Sequence, residues 1–147
     1  MPPRPVDIEL RVRYAETDQM GVVHHSVHLV WFEMGRTEYC RAAGFSYAEM
    51  EKSTGIFIVV AEARCRYRSP AAYDDRLQVR TWPAEISHRM IRFEYEIRHF
   101  DSGRLVATGE TCHVPVNAGG RPVPMPPAQL AQLQAFAGSE APGGGEP

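Results

Sequence analysis

The sequence predicts one α+β domain in which about five β-strands, mostly antiparallel, are covered on one face by a single long helix. Three observations carry this. Five runs alternate apolar and polar residues with the period of a strand. One stretch after the first run repeats its aromatic residues at helical spacing, and proline, glycine and aspartate punctuate the boundaries. A chain of 147 residues with no internal repeat suits a single core.

The first strand follows from Val6, Ile8, Leu10, Val12 and Tyr14 alternating with Asp7, Glu9, Arg11 and Arg13. Residues 15 to 25 read as a loop with Gly21 as its flexible point. Ser26 is placed to cap a helix. His28, Phe32, Gly35, Tyr39 and Ala42 then share one face, with Trp31 and Met34 alongside, while Glu33, Arg36 and Arg41 are free to face water. Gly35 costs roughly 1 kcal/mol relative to alanine in mid-helix, which makes sense where the helix lies very close to another backbone. Gly44 is placed to end the helix, and "SYAEME" adds a short second helical turn. Four strands follow: Ala61 to Tyr67, halted by Pro70; Leu77 to Thr81, halted by Pro83; Ile91 to Ile97, closed by "DSG"; and Leu105 to Val116. Ala128 to Phe136 reads as a terminal helix. The domain therefore spans residues 6–137, with a flexible segment at 1–5 and a disordered Gly/Pro-rich tail at 138–147.

Composition narrows the function. A net charge of −2 advertises neither a nucleic-acid partner nor a membrane-seeking surface. Fifteen arginines against the single Lys52 suggest coding bias, although arginine also suits bidentate phosphate contacts. Cys40, Cys65 and Cys112 are odd in number and widely spaced, so buried free thiols are expected rather than disulfides or a metal knuckle. No window approaches about 18 apolar residues, so no membrane insertion is expected and the protein reads as cytoplasmic.

The segment "RYAETDQMGVVHHSVHLVWFEMGRTEY" resembles that of the hotdog-fold acyl-CoA thioesterases. The branch is that of 4-hydroxybenzoyl-CoA thioesterase and the Tol–Pal-associated bacterial thioesterases, with its Tyr–x3–Asp–x2–Gly–Val–Val–x–His pattern. "EARCRYRSPAAYDDRLQVRT" and "ATGETCHVPVNAGGRPVPMP" extend the resemblance to about residues 6–127. It implies a curved sheet wrapped around the helix, a homodimer or homotetramer with sites at the subunit interface, an acyl-CoA substrate and no cofactor.

Asp18 is the main catalytic candidate. Thioester hydrolysis needs water activated near the carbonyl, or a carboxylate that attacks it. The resemblance implies one of these roles for Asp18, while capping the turn in "TDQMG" is the plain alternative. The "VVHHS" segment leads into the helix, whose N-terminal amides can polarise the carbonyl. The resemblance puts His25 there, acting through its N–H or its imidazole, unless it merely faces solvent or a partner. It gives Tyr14 a part in orienting the carboxylate or water, against ordinary core packing. Gly21, Val22, Val23 and His28 are expected at the substrate, with His28 lining the acyl pocket. Coenzyme A needs positive charge for its phosphates, and "ISHRMIRFEYEI" resembles the family's strand start at the nucleotide, which implies Arg89 there, with Ser87 and His88 as weaker neighbours. An ordinary solvated arginine is the alternative. His24 and His28 have the i, i+4 spacing of a metal pair, but no HExxH glutamate or further ligand cluster accompanies them, so no metal is expected. A non-catalytic acyl-CoA-binding module and a hydratase or dehydratase on the same fold are the competing functions.

Overall fold

The computed structural model describes residues 2–140. Five strands form one sheet: β1 (Val6–Arg11), β2 (Phe57–Tyr67), β3 (Arg76–Ile86), β4 (Ile91–His99) and β5 (Leu105–Val116). Their order across the sheet is β1-β3-β4-β5-β2, with every neighbouring pair antiparallel. The long helix α1 (Val27–Ala43) covers one face, followed by α2 (Tyr47–Thr54), and α3 (Pro127–Ala137) closes the chain. No described helix is long and apolar enough to cross a membrane.

Alternation sets the two faces of the sheet. In β4, Ile91, Phe93, Tyr95 and Ile97 are buried while Arg92, Glu94, Glu96 and Arg98 lie on the other face. That outer face is laced by ion pairs such as Arg80–Asp7 at 2.8 Å and Arg92–Glu94 at 3.0 Å. Each such exposed pair is worth at most about 1 kcal/mol.

Helix α1 buries His28, Trp31, Phe32, Gly35, Arg36, Tyr39 and Cys40. Phe32 stacks on Tyr95 with ring centroids 4.3 Å apart, and Gly109 leaves the space its ring occupies. At Gly35 the close neighbours are the side chains of Thr81 and Val79 on β3, not a backbone as expected. Gly44 ends the helix at φ 113°, in the left-handed region, and its N–H reaches the carbonyls of Cys40 and Arg41.

Several sequence expectations are corrected. Strand β3 runs through Pro83, which sits opposite Phe93 where the register shifts, so a bulge absorbs the missing donor. Strand β2 begins at Phe57 rather than Ala61. Its register shifts between Val60 and Glu62, which lets Ile58 before the shift and Cys65 after it both meet the core. Ser26 already has helical backbone angles and its hydroxyl caps no amide; it pairs with His24 instead. Arg36, expected in water, is buried. Strand β1 stops at Arg11, and Tyr14 lies in a 3-10 turn over Tyr14–Glu16.

Ahead of β1, Arg4 donates its N–H to the Ala137 carbonyl at 2.9 Å and accepts from the Tyr39 hydroxyl at 2.6 Å. Its guanidinium lies over the Phe136 ring. Of the tail expected to be disordered, residues 141–147 lie outside the described residues.

Strand β2 has a neighbour on one side only. Phe57, Val59, Val60 and Tyr67 stand exposed on it, and Leu29, Val30 and Met34 stand exposed on α1. The β2 members of this set lie along an open sheet edge.

Candidate active site

The loop between β1 and α1 is tied down at several points. Glu16 Oε1 accepts the Arg13 N–H at 2.7 Å and its carbonyl accepts the His24 N–H at 2.9 Å. Its other carboxylate oxygen accepts from Trp31 Nε1 at 3.3 Å, which joins the loop to α1. Glu16 is buried, and the sequence reading missed it. The i, i+3 spacing of Arg13 and Glu16, typical of a carboxylate closing its own turn, was the available signal.

Within this frame Thr17 and Val23 bridge, the Asp18 N–H reaches the Val22 carbonyl at 2.8 Å, and Gly21 turns the chain at φ 81°. The Val23 N–H is held by the Ala71 carbonyl at 2.8 Å, and Val22 bridges Ala72. Gly21, Val22 and Val23 thus shape the loop through their backbone. Asp18 Oδ1 accepts the Met20 N–H at 2.8 Å and the Val22 N–H at 3.4 Å. Oδ2 has no protein partner among the described residues. Oδ1 fixes the turn, and Asp18 lines an open hollow of about 510 Å³ together with Tyr14, Thr17 and Gly21. The bonds to Oδ1 fix the orientation of the carboxylate.

Tyr14 lines the same hollow but is 79% exposed and makes no hydrogen bond to Asp18; its ring meets the Tyr73 edge at a centroid distance of 5.7 Å. His25 precedes α1. Its carbonyl accepts from the Tyr67 hydroxyl at 2.6 Å, and its N–H has no partner among the described residues. Tyr67 is a second residue the sequence reading did not assign to the site. The His25 imidazole stacks on His24 at 4.2 Å, and His24 Nδ1 lies 2.8 Å from Ser26 Oγ. His28 is buried between Tyr67 and Trp31, with centroids 4.9 and 5.4 Å away. Burial pushes its pKa below the usual histidine value, against the raising effect of the nearby His25 and His24 carbonyls. It is a neutral wedge beneath the start of α1.

Ser87, His88 and Arg89 form the β3–β4 hairpin tip. The Ser87 hydroxyl accepts the Arg89 and Met90 N–H groups at 3.2 Å each, so it closes its own turn. Arg89 is exposed beside a hollow of about 330 Å³ lined with His88, Pro122, Val123 and Pro124. The Asp18 loop reaches Ala72, just before β3, through Val22, whose carbonyl accepts the Asp18 N–H, whereas Arg89 lies just after β3. Eleven residues of strand separate them, roughly 35 Å. One protomer does not bring Arg89 to Asp18.

Comparison with known proteins agrees with this architecture. Residues 12–133 match the model of the Thioesterase-like superfamily. The chain belongs to that superfamily. Its sheet-and-helix arrangement is the hotdog fold of the family's solved members. YneP of Bacillus subtilis (strain 168), whose name carries a provisional acyl-CoA thioesterase assignment, is 37% identical over 109 residues, 74% of this chain and 78% of YneP. A Thermus thermophilus protein of undefined function superposes with a TM-score of 0.83 at 36% identity, covering 90% of this chain and 97% of that one. The DHNA-CoA thioesterase of Staphylococcus aureus gives 0.82 at 32% identity, over 90% and 92%.

Proposed function

We propose that this member of the superfamily is an acyl-CoA thioester hydrolase in which Asp18 acts on the thioester carbonyl, as general base toward water or as nucleophile. The observation that carries the reading is that Asp18 Oδ2 and the His25 N–H, both on the segment between β1 and α1, have no partner among the described residues. The first supplies the base, and the second, with the positive end of the helix, supplies a donor for the oxyanion. Tyr67 holds the His25 carbonyl and so orients the segment that carries the donor. Val22, Val23, Gly21 and His28 shape the substrate's surroundings, and Tyr14 borders them. The names of the relatives support acyl-CoA as substrate class. A cytoplasmic location goes with this reading, because coenzyme A thioesters are intracellular metabolites.

A homodimer through β2 belongs to the same proposal, with a tetramer as a further step. The open, apolar edge of β2 supports it. In a protomer the Tyr67 end of β2 adjoins His25, and the Phe57 end adjoins Val116 and so the β4 start beyond Arg89. Antiparallel pairing of two β2 edges reverses one protomer against the other. The partner subunit's Arg89 then approaches this protomer's Asp18 end, where it can meet the coenzyme A phosphates.

The turn-closing bonds to Asp18 Oδ1 favour one competing reading, a binding module in which Asp18 is structural. A panel of aromatic, short and long acyl-CoAs with a thiol-reactive dye separates the two. Release of coenzyme A with turnover supports the hydrolase. Tight binding of the same thioesters without release would replace it with the binding module.

A further inference from the structure

Arg36, in the middle of α1, lines a third cavity, of about 290 Å³, together with Glu33, Tyr47, Ile58, Val60 and His113. Arg36 is only 9% exposed. Its guanidinium lies against the Tyr95 hydroxyl, a neutral partner, and among the described residues it forms no hydrogen bond to a carboxylate. The one carboxylate within 4.0 Å is Glu33, at that limit, and 69% of the Glu33 side chain is in solvent.

The remaining polar groups around it are neutral. Burial pushes the Tyr47 and Tyr95 hydroxyls upward, the latter against the lowering effect of Arg36 beside it. Burial lifts the Cys40 thiol to about 11, and burial together with the Arg36 charge holds His113 down to about 3. Tyr95 and His113 are also both engaged by Thr111: the Tyr95 hydroxyl and His113 Nε2 meet Thr111 Oγ1 at 2.6 and 2.7 Å. The Tyr47 hydroxyl, near the Cys40 thiol, is buried with no sound partner. The cavity thus holds a buried cation and a spare hydroxyl donor with no anion between them. A buried charge without acceptors is strongly unfavourable, so the arrangement calls for an anionic ligand. Ile58 and Val60 give the same cavity apolar walls.

We propose that this cavity binds the distal carboxylate of a dicarboxylic acyl group, with Arg36 as counter-charge and Tyr47 as hydroxyl donor. The proposal rests on the thioesterase reading for the position of the other end of the acyl chain. Arg36 lies nine residues beyond Val27, and helix rise less the backward lean of its side chain gives roughly 8–13 Å from the start of α1. A medium-length diacid chain spans that gap. The guanidinium fork suits a carboxylate bidentately, and the methylenes run along the exposed Leu29 flank of α1.

The test compares suberyl-CoA with octanoyl-CoA, equal in chain length and different only at the far end, in wild type, Arg36→Met and Arg36→Lys. Binding of free suberate is followed by isothermal titration. The wild type should prefer suberyl-CoA by on the order of tenfold to a hundredfold in kcat/KM, the worth of a hydrogen bond to a charged group. Arg36→Met should reverse the preference and abolish suberate binding, while Arg36→Lys keeps part of both. Suberate binding that depends on Arg36, without hydrolysis of either thioester, would remove the hydrolase reading and leave this site standing. Equal kcat/KM for the two thioesters in wild type, or suberate binding unchanged in Arg36→Met, would overturn the proposal. If Arg36→Met does not fold, Arg36→Lys and the wild-type comparison decide it.

Discussion

Asp18→Asn separates the two roles that the structure allows Asp18. The asparagine oxygen can replace Oδ1 as acceptor for Met20 N–H at 2.8 Å and Val22 N–H at 3.4 Å. Its NH2 group replaces an oxygen that has no partner among the described residues, so no donor is forced against another donor. The turn therefore survives, and the loss of charge-assisted strength should cost no more than about 1 kcal/mol, or about 2–5 °C in Tm for a domain of this size. Catalysis should respond differently. Removing a positioned base lowers kcat by about 10²–10⁴-fold, which at 1.36 kcal/mol per decade raises the barrier by about 2.7–5.5 kcal/mol. The assay is coenzyme A release at saturating acyl-CoA, with a melting curve and a binding isotherm on the same preparation. Asp18→Ala should lose both the rate and the turn, with a larger fall in Tm. His25→Ala, which retains the backbone N–H, should cost far less than Asp18→Asn if that N–H is the oxyanion donor. A kcat for Asp18→Asn within about threefold of wild type, beside a destabilised Asp18→Ala, would refute the reasoning and leave Asp18 a turn residue.

Arg89→Ala should raise KM for acyl-CoA with little change in kcat, and should matter less for a truncated thioester without the nucleotide; equal effects on both substrates would remove Arg89 from phosphate binding. Gly35→Ala gains about 1 kcal/mol in helix propensity, but its methyl meets the Thr81 hydroxyl and the Val79 side chain. Overpacking there costs about 1–3 kcal/mol, so urea denaturation should show a net loss. Val60→Glu, on the exposed β2 edge, should shift sedimentation toward a 16.5 kDa monomer with reduced activity; an unchanged oligomer would argue against the β2 interface. Burial and the Arg36 charge hold His113 at about 3 in the fold, against an ordinary histidine value of 6.5, so the unfolded chain binds the proton first as pH falls. Its contribution is complete above pH 6.5 and is lost toward pH 3, with a slope of up to about 1.4 kcal/mol per pH unit, and the depressed pKa of His28 acts in the same direction. A His113→Asn variant that still folds should flatten that slope in urea titrations at pH 7 and pH 5; an unchanged slope would remove His113 as its source.

The period-two alternation in β1 and β4 was legible in the sequence because a sheet with one buried face demands it locally. The helix, its left-handed stop at Gly44, and α2 after Ser46 were legible for the same reason, since backbone sterics and capping act within a few residues. Asp18, Gly21 and His25 could be placed close together because they fall in one continuous segment between β1 and α1. Boundaries set by a neighbouring strand were not legible: Pro83 stays in β3 because β4 accommodates a bulge, and β2 starts early because β5 extends to Val116.

What only the tertiary structure decided is how side chains distant in sequence meet. Arg36 looks like a solvent residue in any helical reading, and it is buried because α2, β2 and the His113 end of β5 close around it. Tyr67 reads as an ordinary strand residue until its hydroxyl reaches the His25 carbonyl, 42 positions away. Arg89 matches a nucleotide contact by sequence, but the length of β3 puts it far from Asp18 in the same protomer. Local patterning specifies which face each residue takes, because periodicity is a property of one element. The identity of the partner across that face depends on strand order and helix crossing, and burial, free donors and uncompensated charge arise only when those distant elements close on one another.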